Sequence, residues 1–303
     1  MTVRSLVLLL PLTALWGLLP LPPPLIMIGI ALTMFFFIKL HSLLIYTRID
    51  QVHLNQLHPI ETMAWMFGWA GLNPSHFFHS PKSQAKPLRR QPLDRSATVH
   101  ALLKILIGAA LLCGVAPRFQ DTWPLLAGWI GISGIALFLH CGLIHLSALI
   151  WNTTGRPVVP IMNAPLFASS VSEFWSKRWN LAFRDYAHVA VFSPLVRRLG
   201  GAGAVFAGFV FSGIIHDLAI SVPARGGYGR PSLYFILQAV AVLLERKLQK
   251  SGVDLEGRWR GRIWTTAWVV GPILLLFHRL FILNVILPII KAINGFLYQL
   301  LVI

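Results

Sequence analysis

Long apolar runs recur along the whole 303-residue chain and restrict what it can fold into. A membrane-spanning helix needs about 20 predominantly apolar residues. Eight runs approach or exceed that length, with approximate bounds 5–20, 25–46, 99–117, 123–150, 202–222, 232–246, 263–282 and 284–302. The sequence therefore predicts an all-α, polytopic integral membrane protein with about eight transmembrane helices, organised as one membrane-embedded domain over residues 1–303.

The composition excludes the other broad classes of protein. Hydrophobic residues make up 56% of the chain and charged residues only 12%, too few to cover the surface of a soluble protein. The same proportions exclude a disordered chain. Cys113 and Cys141 are the only cysteines and lie inside apolar runs, which indicates no disulfide scaffold.

Positive charge is concentrated between the apolar runs. The net charge is +16, but no nucleic-acid recognition motif accompanies it, so we expect no nucleic-acid partner. If residues 47–98 are cytoplasmic, 17 Lys and Arg residues fall in cytoplasmic loops and only three, Arg118, Arg225 and Arg230, in the opposite loops. This bias predicts that both termini are cytoplasmic. It does not distinguish a bacterial inner membrane from the endoplasmic reticulum.

Two segments and a few ionisable residues depart from the plain apolar pattern. Residues 58–79 are rich in Trp, Phe and Met and predict a helix lying in the membrane interface, whereas residues 80–98 predict an exposed basic loop. Five ionisable residues in or beside the runs are expected to extend to the interface: Lys39, His41, Lys104, Arg279 and Lys291.

His216 differs from those residues, because it lies well inside the fifth run among small residues. It belongs to the stretch Phe211-Ser212-Gly213-Ile214-Ile215-His216-Asp217. Small residues let helices approach closely, and a neutral imidazole between them can accept a proton near physiological pH. A structural histidine bonded to a backbone carbonyl is equally consistent with this position.

A second cluster of aromatic, basic and polar residues spans 169–180. Ser172 is predicted to cap a helix on which Trp175 and Trp179 share one face. An aromatic anchor at the membrane surface would explain the tryptophans. It would not explain Asn180, which follows them directly.

Motifs of other chemistries are absent from the sequence or weak. There is no HExxH, paired-Asp, Walker or dinucleotide-binding motif. Residues 131–134 match the GxSG of intramembrane serine proteases, although Gly128, Gly131 and Gly134 predict a helix-packing face. His140 and His145 have a poor spacing for metal ligands on a helix, so no metal site is predicted.

Together the two clusters resemble the signature of wax synthases, a branch of the membrane-bound O-acyltransferase (MBOAT) superfamily. The first part of this signature resembles residues 163–181, which include Phe174-Trp175 and Arg178-Trp179-Asn180. The parts that follow it resemble residues 191–198 and 211–217. Residues 69–72 are similar, more loosely, to an upstream Trp-Pro-Gly stretch. The resemblance covers about residues 155–245.

Three departures from the family pattern bear on the acceptor alcohol. The family usually has Gly-Arg at Ser176-Lys177 and often Glu at Asp217. Asn180 resembles the plant wax synthases and the sterol and diacylglycerol acyltransferases, whereas fungal relatives tend to carry His there. These changes leave the chemistry intact and the identity of the alcohol open.

The resemblance implies acyl transfer from acyl-CoA to the hydroxyl of a long-chain or other lipophilic alcohol drawn from the membrane, without a cofactor. His216 would be the general base, and Asn180 would hydrogen-bond the thioester carbonyl or orient the imidazole. Both residues should then face one cavity. The alternative is a non-catalytic membrane protein, either a transporter or a degenerate family member.

Residues flanking Asn180 are candidates for substrate binding: Trp175, Lys177, Arg178, Trp179 and Arg184. The three basic residues among them would hold the phosphates of the donor. Pairing with Glu173 and Asp185 is the structural alternative for these charges.

The charge distribution leads to a prediction about topology. Reporter fusions after residues 120 and 226 should locate outside the cytoplasm, and a fusion after residue 303 inside it, because the basic loops stay on the cytoplasmic side. Fusions with an enzyme active only in one compartment measure this. A cytoplasmic signal at residue 226 would contradict the predicted topology.

Overall fold

The computed structural model describes residues 9–49, 57–78, 92–156, 158–252 and 258–302. These ranges contain helices and no strand. The main helices are α1 Leu9–Leu18, α2 Pro23–Ile49, α3 Pro59–Gly68, α4 Arg95–Phe119, α5 Pro124–Thr153, α6 Val171–Glu173, α7 Leu181–Ala187, α8 Ser193–Ala224, α9 Arg230–Lys250, α10 Arg258–Val270 and α11 Arg279–Leu300. Turns of π-helix continue α6 over Phe174–Arg178 and α7 over His188–Phe192.

Five of the described helical runs are long and apolar enough to cross a membrane: α2, α4, α5, Leu181–Ala224 and α11. The predicted class, an all-α polytopic membrane protein, is confirmed. The other three predicted runs differ in detail. In the first predicted run, only ten residues are described as a helix. The sixth run lies in α9, which is more polar than the spanning helices. The seventh run is divided between α10, the turn Ile273–Leu276 and the start of α11.

The predicted segments between the runs are partly described. Residues 58–79 contain the helix α3, as expected, followed by a single 3₁₀ turn at Pro74–His76. Most of the predicted exposed loop lies outside the described residues, and its last residues, 95–98, already belong to α4.

The run Leu181–Ala224 is not one continuous helix. Gly200 adopts φ 68° and ψ 174°, a conformation that is essentially restricted to glycine. The break separates α7 and the first residues of α8 from residues 201–224, which contain the predicted fifth span. The aromatic cluster and the span carrying His216 can therefore take different directions.

The GxSG stretch brings helices together. A Cβ on Gly131 would lie 2.6 Å from Ile290, and a Cβ on Gly134 would lie 2.9 Å from the Gly108 carbonyl oxygen. Ser133 is exposed and donates a hydrogen bond to the Trp129 carbonyl at 3.0 Å. The packing interpretation of these glycines is confirmed.

Lys39 and His41 are buried inside the protein rather than extended toward solvent, and their place at the membrane interface stays a prediction. Lys39 is fully buried, and its Nζ donates hydrogen bonds to the carbonyls of Trp65 and Trp69 at the end of α3. These carbonyls have no partner within the helix. His41 is also buried, with Nδ1 2.8 Å from the Tyr186 hydroxyl. Both are covered because α3 and α7 pack on α2.

A buried carboxylate of α9 anchors α6. Glu245 is fully buried and accepts hydrogen bonds from the N–H groups of Val171 at 2.7 Å and Ser172 at 3.1 Å. The first N–H groups of a helix lack internal partners, and the helix dipole favours a negative charge beside them. Ser170, whose Oγ accepts from the Glu173 N–H at 3.0 Å, completes the cap. The predicted cap, Ser172, is therefore wrong, because it lies inside the first turn.

We expect Glu245→Ala to destabilise the fold. The substitution leaves two buried N–H groups without acceptors, at a cost of about 1–3 kcal/mol each. Thermal unfolding of the purified protein in detergent measures the effect. Lys247→Ala, an exposed change on the same helix, should stay within about 0.5 kcal/mol of the wild type. Equal stability of the two variants would show that the Glu245 contact contributes little.

Candidate active site

A cavity of about 320 Å³, here called the main cavity, lies between the aromatic cluster, α7, α8 and α9. Its lining combines aromatic, small and polar side chains: Ser172, Trp175, Ser176, Trp179, Asn180, Phe183, Arg184, Ala187, His188, Phe192, Ala204, Val205, Gly208, Phe209, Ser212, His216, Phe235, Val242 and Arg246. Asn180 and His216 thus border the same space, although they lie far apart along the chain.

The backbone of α8 orients the His216 ring. Its Nδ1 lies 2.7 Å from the carbonyl oxygen of Ser212, one turn earlier. A carbonyl oxygen can only accept, so in the neutral ring Nδ1 carries the proton and Nε2 does not. Nε2 has no hydrogen-bond partner among the described residues. The backbone bond expected of a structural histidine is present, yet it leaves one nitrogen as a proton acceptor.

Close packing of α8 against α9 fixes the surroundings of this ring. The centroid of the Phe235 ring lies 4.4 Å from that of His216. A Cβ on Gly213 would lie 2.9 Å from the Cα of Ser232, so a larger residue there would push the two helices apart. Ser212 therefore supplies the carbonyl that orients the His216 ring, and Gly213 lets α8 and α9 approach closely.

Asp217 ties α8 to the beginning of α9. Its carboxylate accepts hydrogen bonds from the Gly229 N–H at 3.0 Å, and from the N–H and hydroxyl of Ser232 at 3.2 and 2.6 Å. Asp217 is not part of the main cavity lining. It acts on the position of α9 rather than on a bound ligand.

Asn180 stands at the start of α7 as its N-cap. Its backbone is left-handed, with φ 42° and ψ 59°, a region that asparagine tolerates better than most residues. The side-chain Oδ1 accepts a hydrogen bond from the Phe183 N–H at 3.2 Å. Nδ2 has no hydrogen-bond partner among the described residues. The cap thus fixes the amide group and leaves its two donors for a ligand.

The two tryptophans reach the main cavity in a different way from the one predicted. Trp179 follows the π-helical turn in an extended conformation, so the predicted shared helix face with Trp175 is wrong. Both rings nevertheless line the cavity. Trp179 stacks on Phe174 with 5.6 Å between ring centroids, and Trp175 donates its indole N–H to Gln238 at 3.1 Å. These contacts hold the aromatic wall in place.

The three basic residues that the sequence suggests for phosphate binding differ in whether they line the main cavity. Arg178 pairs with Glu173 at 2.7 Å and is not part of the main cavity lining. Lys177 is exposed and also outside the lining. Arg184 lines the cavity, with its Nε 2.9 Å from Asp185. Arg178 therefore follows the structural alternative, since it pairs with Glu173. Of the three basic residues, only Arg184 lines the main cavity.

Hydrogen bonds around Glu173 strengthen its pairing with Arg178. Burial raises the pKa of this carboxyl, but hydrogen bonds from the N–H and hydroxyl of Ser169 and from Arg178 lower it below its ordinary value overall. A lowered pKa in the folded state stabilises the protein above the ordinary carboxyl pKa, and this contribution is lost as the pH falls through the lowered value.

Arg246 is a cavity residue that sequence analysis missed. It lies on α9, is exposed, and lines the main cavity beside Arg184 and His188. The neighbouring Glu245 is occupied by the N–H groups of α6, and Arg246 has no ion-pair partner among the described residues. In the sequence it is simply the last residue of the sixth apolar run, and no local pattern shows which way it faces.

Comparison with known protein families finds a match in the segment that contains most of the main cavity residues. Residues 158–238, which include Asn180 and His216, match the membrane-bound O-acyl transferase family. The resemblance to the wax synthase branch is confirmed. The matched segment contains α6, α7 and α8, which form most of the main cavity.

Several curated plant proteins are similar to parts of this chain. A long-chain-alcohol O-fatty-acyltransferase of Simmondsia chinensis is 30% identical over 111 residues, 33% of this chain and 31% of the relative. Two probable long-chain-alcohol O-fatty-acyltransferases of Arabidopsis thaliana are 36% identical over 92 residues (28% and 27%) and 29% identical over 188 residues (59% and 53%). The matches thus span 27% to 53% of the lengths of these relatives.

Proposed function

We propose that this wax-synthase-like protein transfers a fatty acyl group from acyl-CoA to the hydroxyl of a lipophilic alcohol, forming an ester. One observation carries the proposal: a single cavity holds a histidine with an unprotonated ring nitrogen and an asparagine with a free amide group. The relatives named for long-chain alcohols support the acceptor class.

His216 is the general base in this proposal. The alcohol hydroxyl has a very high pKa and must lose its proton as its oxygen attacks the thioester carbonyl. Nε2 accepts that proton while the Ser212 carbonyl holds Nδ1–H in place. As the carbon–sulfur bond breaks, the imidazolium returns the proton to the departing thiolate. The products are the ester and the free CoA thiol, and His216 is again neutral.

Asn180 stabilises the charge that develops on the carbonyl oxygen. A donor held in position before the reaction contributes most, because it needs no reorganisation in the transition state. The Asn180 amide meets this condition, since its Oδ1 is fixed as the cap of α7.

The acyl group passes directly from donor to acceptor. A covalent acyl-enzyme would need a nucleophile activated by a base. Among the described residues, no hydroxyl or thiol hydrogen-bonds to the His216 ring, and the Ser212 contact is through its carbonyl. Both substrates are therefore bound together when the alcohol attacks.

Arg184 and Arg246 are the residues best placed for the phosphates of the donor. Guanidinium groups form strong paired hydrogen bonds with phosphate oxygens. The excess of basic residues in the loops on the proposed cytoplasmic side supports entry of acyl-CoA from the cytoplasm. The alcohol would come from the surrounding lipid, in a bacterial inner membrane or the endoplasmic reticulum.

An assay with purified protein distinguishes catalysis from the non-catalytic alternative. Labelled acyl-CoA and a panel of primary alcohols, sterols and diacylglycerol should yield labelled ester with at least one acceptor. Absence of ester with every member of the panel, from folded protein, would favour a transporter or a degenerate family member.

His216→Ala should lower turnover by roughly 10²–10⁴-fold, the usual contribution of general base catalysis. Asn180→Ala should lower it by about 10²–10³-fold, the effect of removing one oxyanion donor. Measurement of kcat and of substrate binding separates loss of chemistry from loss of affinity.

A matched control is available in α4. His100 makes the same bond, with Nδ1 2.7 Å from the carbonyl four residues earlier, but it is exposed and outside the main cavity. His100→Ala should therefore retain wild-type turnover. Near-normal turnover of folded His216→Ala would overturn the mechanism.

Arg246→Gln should raise the apparent KM for acyl-CoA about tenfold or more, because a charge-assisted hydrogen bond contributes about 1.5–3 kcal/mol. The KM for the alcohol should change little. Lys247→Gln is the control, since Lys247 lies next to it on α9 without lining the cavity. Arg178→Gln should act on stability rather than on the donor KM, because Arg178 is committed to Glu173. An unchanged donor KM in Arg246→Gln would remove this residue from the donor site.

A further inference from the structure

A second cavity, of about 280 Å³, lies on the opposite side of the segment 183–192 from the main cavity. We call it the α2 cavity, and it is lined by Ser42, Ile45, Tyr46, Ile49, Leu72, Asn73, Pro74, Ser75, Asp185, Tyr186 and Val189. No residue lines both cavities. Phe183, Arg184, Ala187 and His188 face the main cavity, whereas Asp185, Tyr186 and Val189 face this one.

Ser42 indicates that the α2 cavity is built to hold a polar group. This residue is only 6% exposed, and its hydroxyl has no hydrogen-bond partner among the described residues. Buried polar groups in proteins are normally hydrogen-bonded. Ser42 is among the residues that line the cavity, so rotation of its hydroxyl toward the cavity would let a bound molecule supply the missing partner.

The other polar groups restrict the charge of such a molecule. Asp185 lines the same cavity, and its ion pair with Arg184 is made through Oδ1. A carboxylate disfavours an anionic head group and accepts a hydrogen bond from a neutral hydroxyl. Ser42 and Asp185 together therefore suit a head group that donates a hydrogen bond and carries no negative charge, and a neutral hydroxyl meets both conditions.

The rest of the wall suits an apolar chain. Ile45, Ile49, Leu72 and Val189 supply apolar surface around the polar groups. Ser42 to Ile49 form the last two turns of α2, a helix long and apolar enough to cross a membrane, so the cavity lies near one end of that helix. The volume is near the lower end for small-molecule sites, enough for a head group and the first part of a chain.

We propose that the α2 cavity binds a second molecule of lipophilic alcohol, with its hydroxyl between Ser42 and Asp185. This molecule is not in position to react, because His216 lines only the main cavity. The identification of the ligand with the acceptor class rests on the proposed function. The preference against an anionic head group rests on the residues of the α2 cavity alone.

Photolabelling tests the proposal directly. The full-length protein in phosphatidylcholine nanodiscs is irradiated with a long-chain alcohol that carries a diazirine near its hydroxyl, and labelled residues are mapped by mass spectrometry. Labels are expected on Ile45, Ile49 or Val189 as well as in the main cavity. A fatty acid probe of the same length should label the α2 cavity several-fold less.

Two variants test the α2 cavity in different ways, one by removing a hydrogen-bonding group and one by filling the space. Ser42→Ala removes only the hydroxyl and should reduce labelling there about fivefold, the effect of one neutral hydrogen bond. Val189→Trp should fill the cavity and abolish its labelling. Both should leave labelling of the main cavity intact. Leu199→Trp, an exposed position that lines neither cavity, is the control for the added ring.

The outcomes separate this proposal from the proposed function. Labelling of the α2 cavity that neither variant reduces, or that the fatty acid matches, would overturn the second site. Ester formation without any label in the α2 cavity would also reject it while supporting the transferase. Specific labelling of the α2 cavity in a protein that forms no ester would support the site and reject the transferase.

Discussion

The buried carboxylate of Glu245 is the contact on which the arrangement of the main cavity depends most directly. It joins α9 to the first turn of α6, which carries the aromatic cluster. The same helix holds Trp175 through Gln238 and places Phe235 against His216. One helix thus contacts both parts of the signature-like region, the aromatic cluster and the span that carries His216.

This role explains the composition of α9. Its buried positions include Tyr234, Gln238 and Glu245, spaced by four and seven residues, so they lie on one face of the helix. Polar groups in contact with lipid are costly, but each of these meets a partner inside the protein. Gln238 donates to the Trp268 carbonyl, and Tyr234 to the Val269 carbonyl. The helix is less apolar than a lipid-facing span because its polar face is turned inward.

Several properties of the site could be predicted from residue patterns. His216 is recognisable as a titratable group in an apolar span, and Asn180 as a residue that an aromatic anchor does not require. The details of the backbone could not be predicted. The π-helical turn at Phe174–Arg178 moves Trp179 off the expected helix face, and Glu245, distant in the sequence, shifts the capping role to Ser170. The position of Lys39 near a span end does not show that its partners are the carbonyls of Trp65 and Trp69. For Arg178 the sequence leaves phosphate binding and pairing with the nearby Glu173 both open, and the structure contains the pair.

From the sequence alone one could establish the all-helical membrane class, the segment that carries the signature and the two residues with suitable chemistry. These follow from apolar run length, local composition and residue type, which act over short stretches of chain. The tertiary structure decided which charged side chains line the main cavity and which pair with another residue, since that depends on contacts between distant segments. Arg246 lines the main cavity without an ion pair in the described part of the chain, where its neighbour Glu245 is bound to α6. His216 keeps Nε2 available because no described residue offers it a partner, while its own helix holds Nδ1.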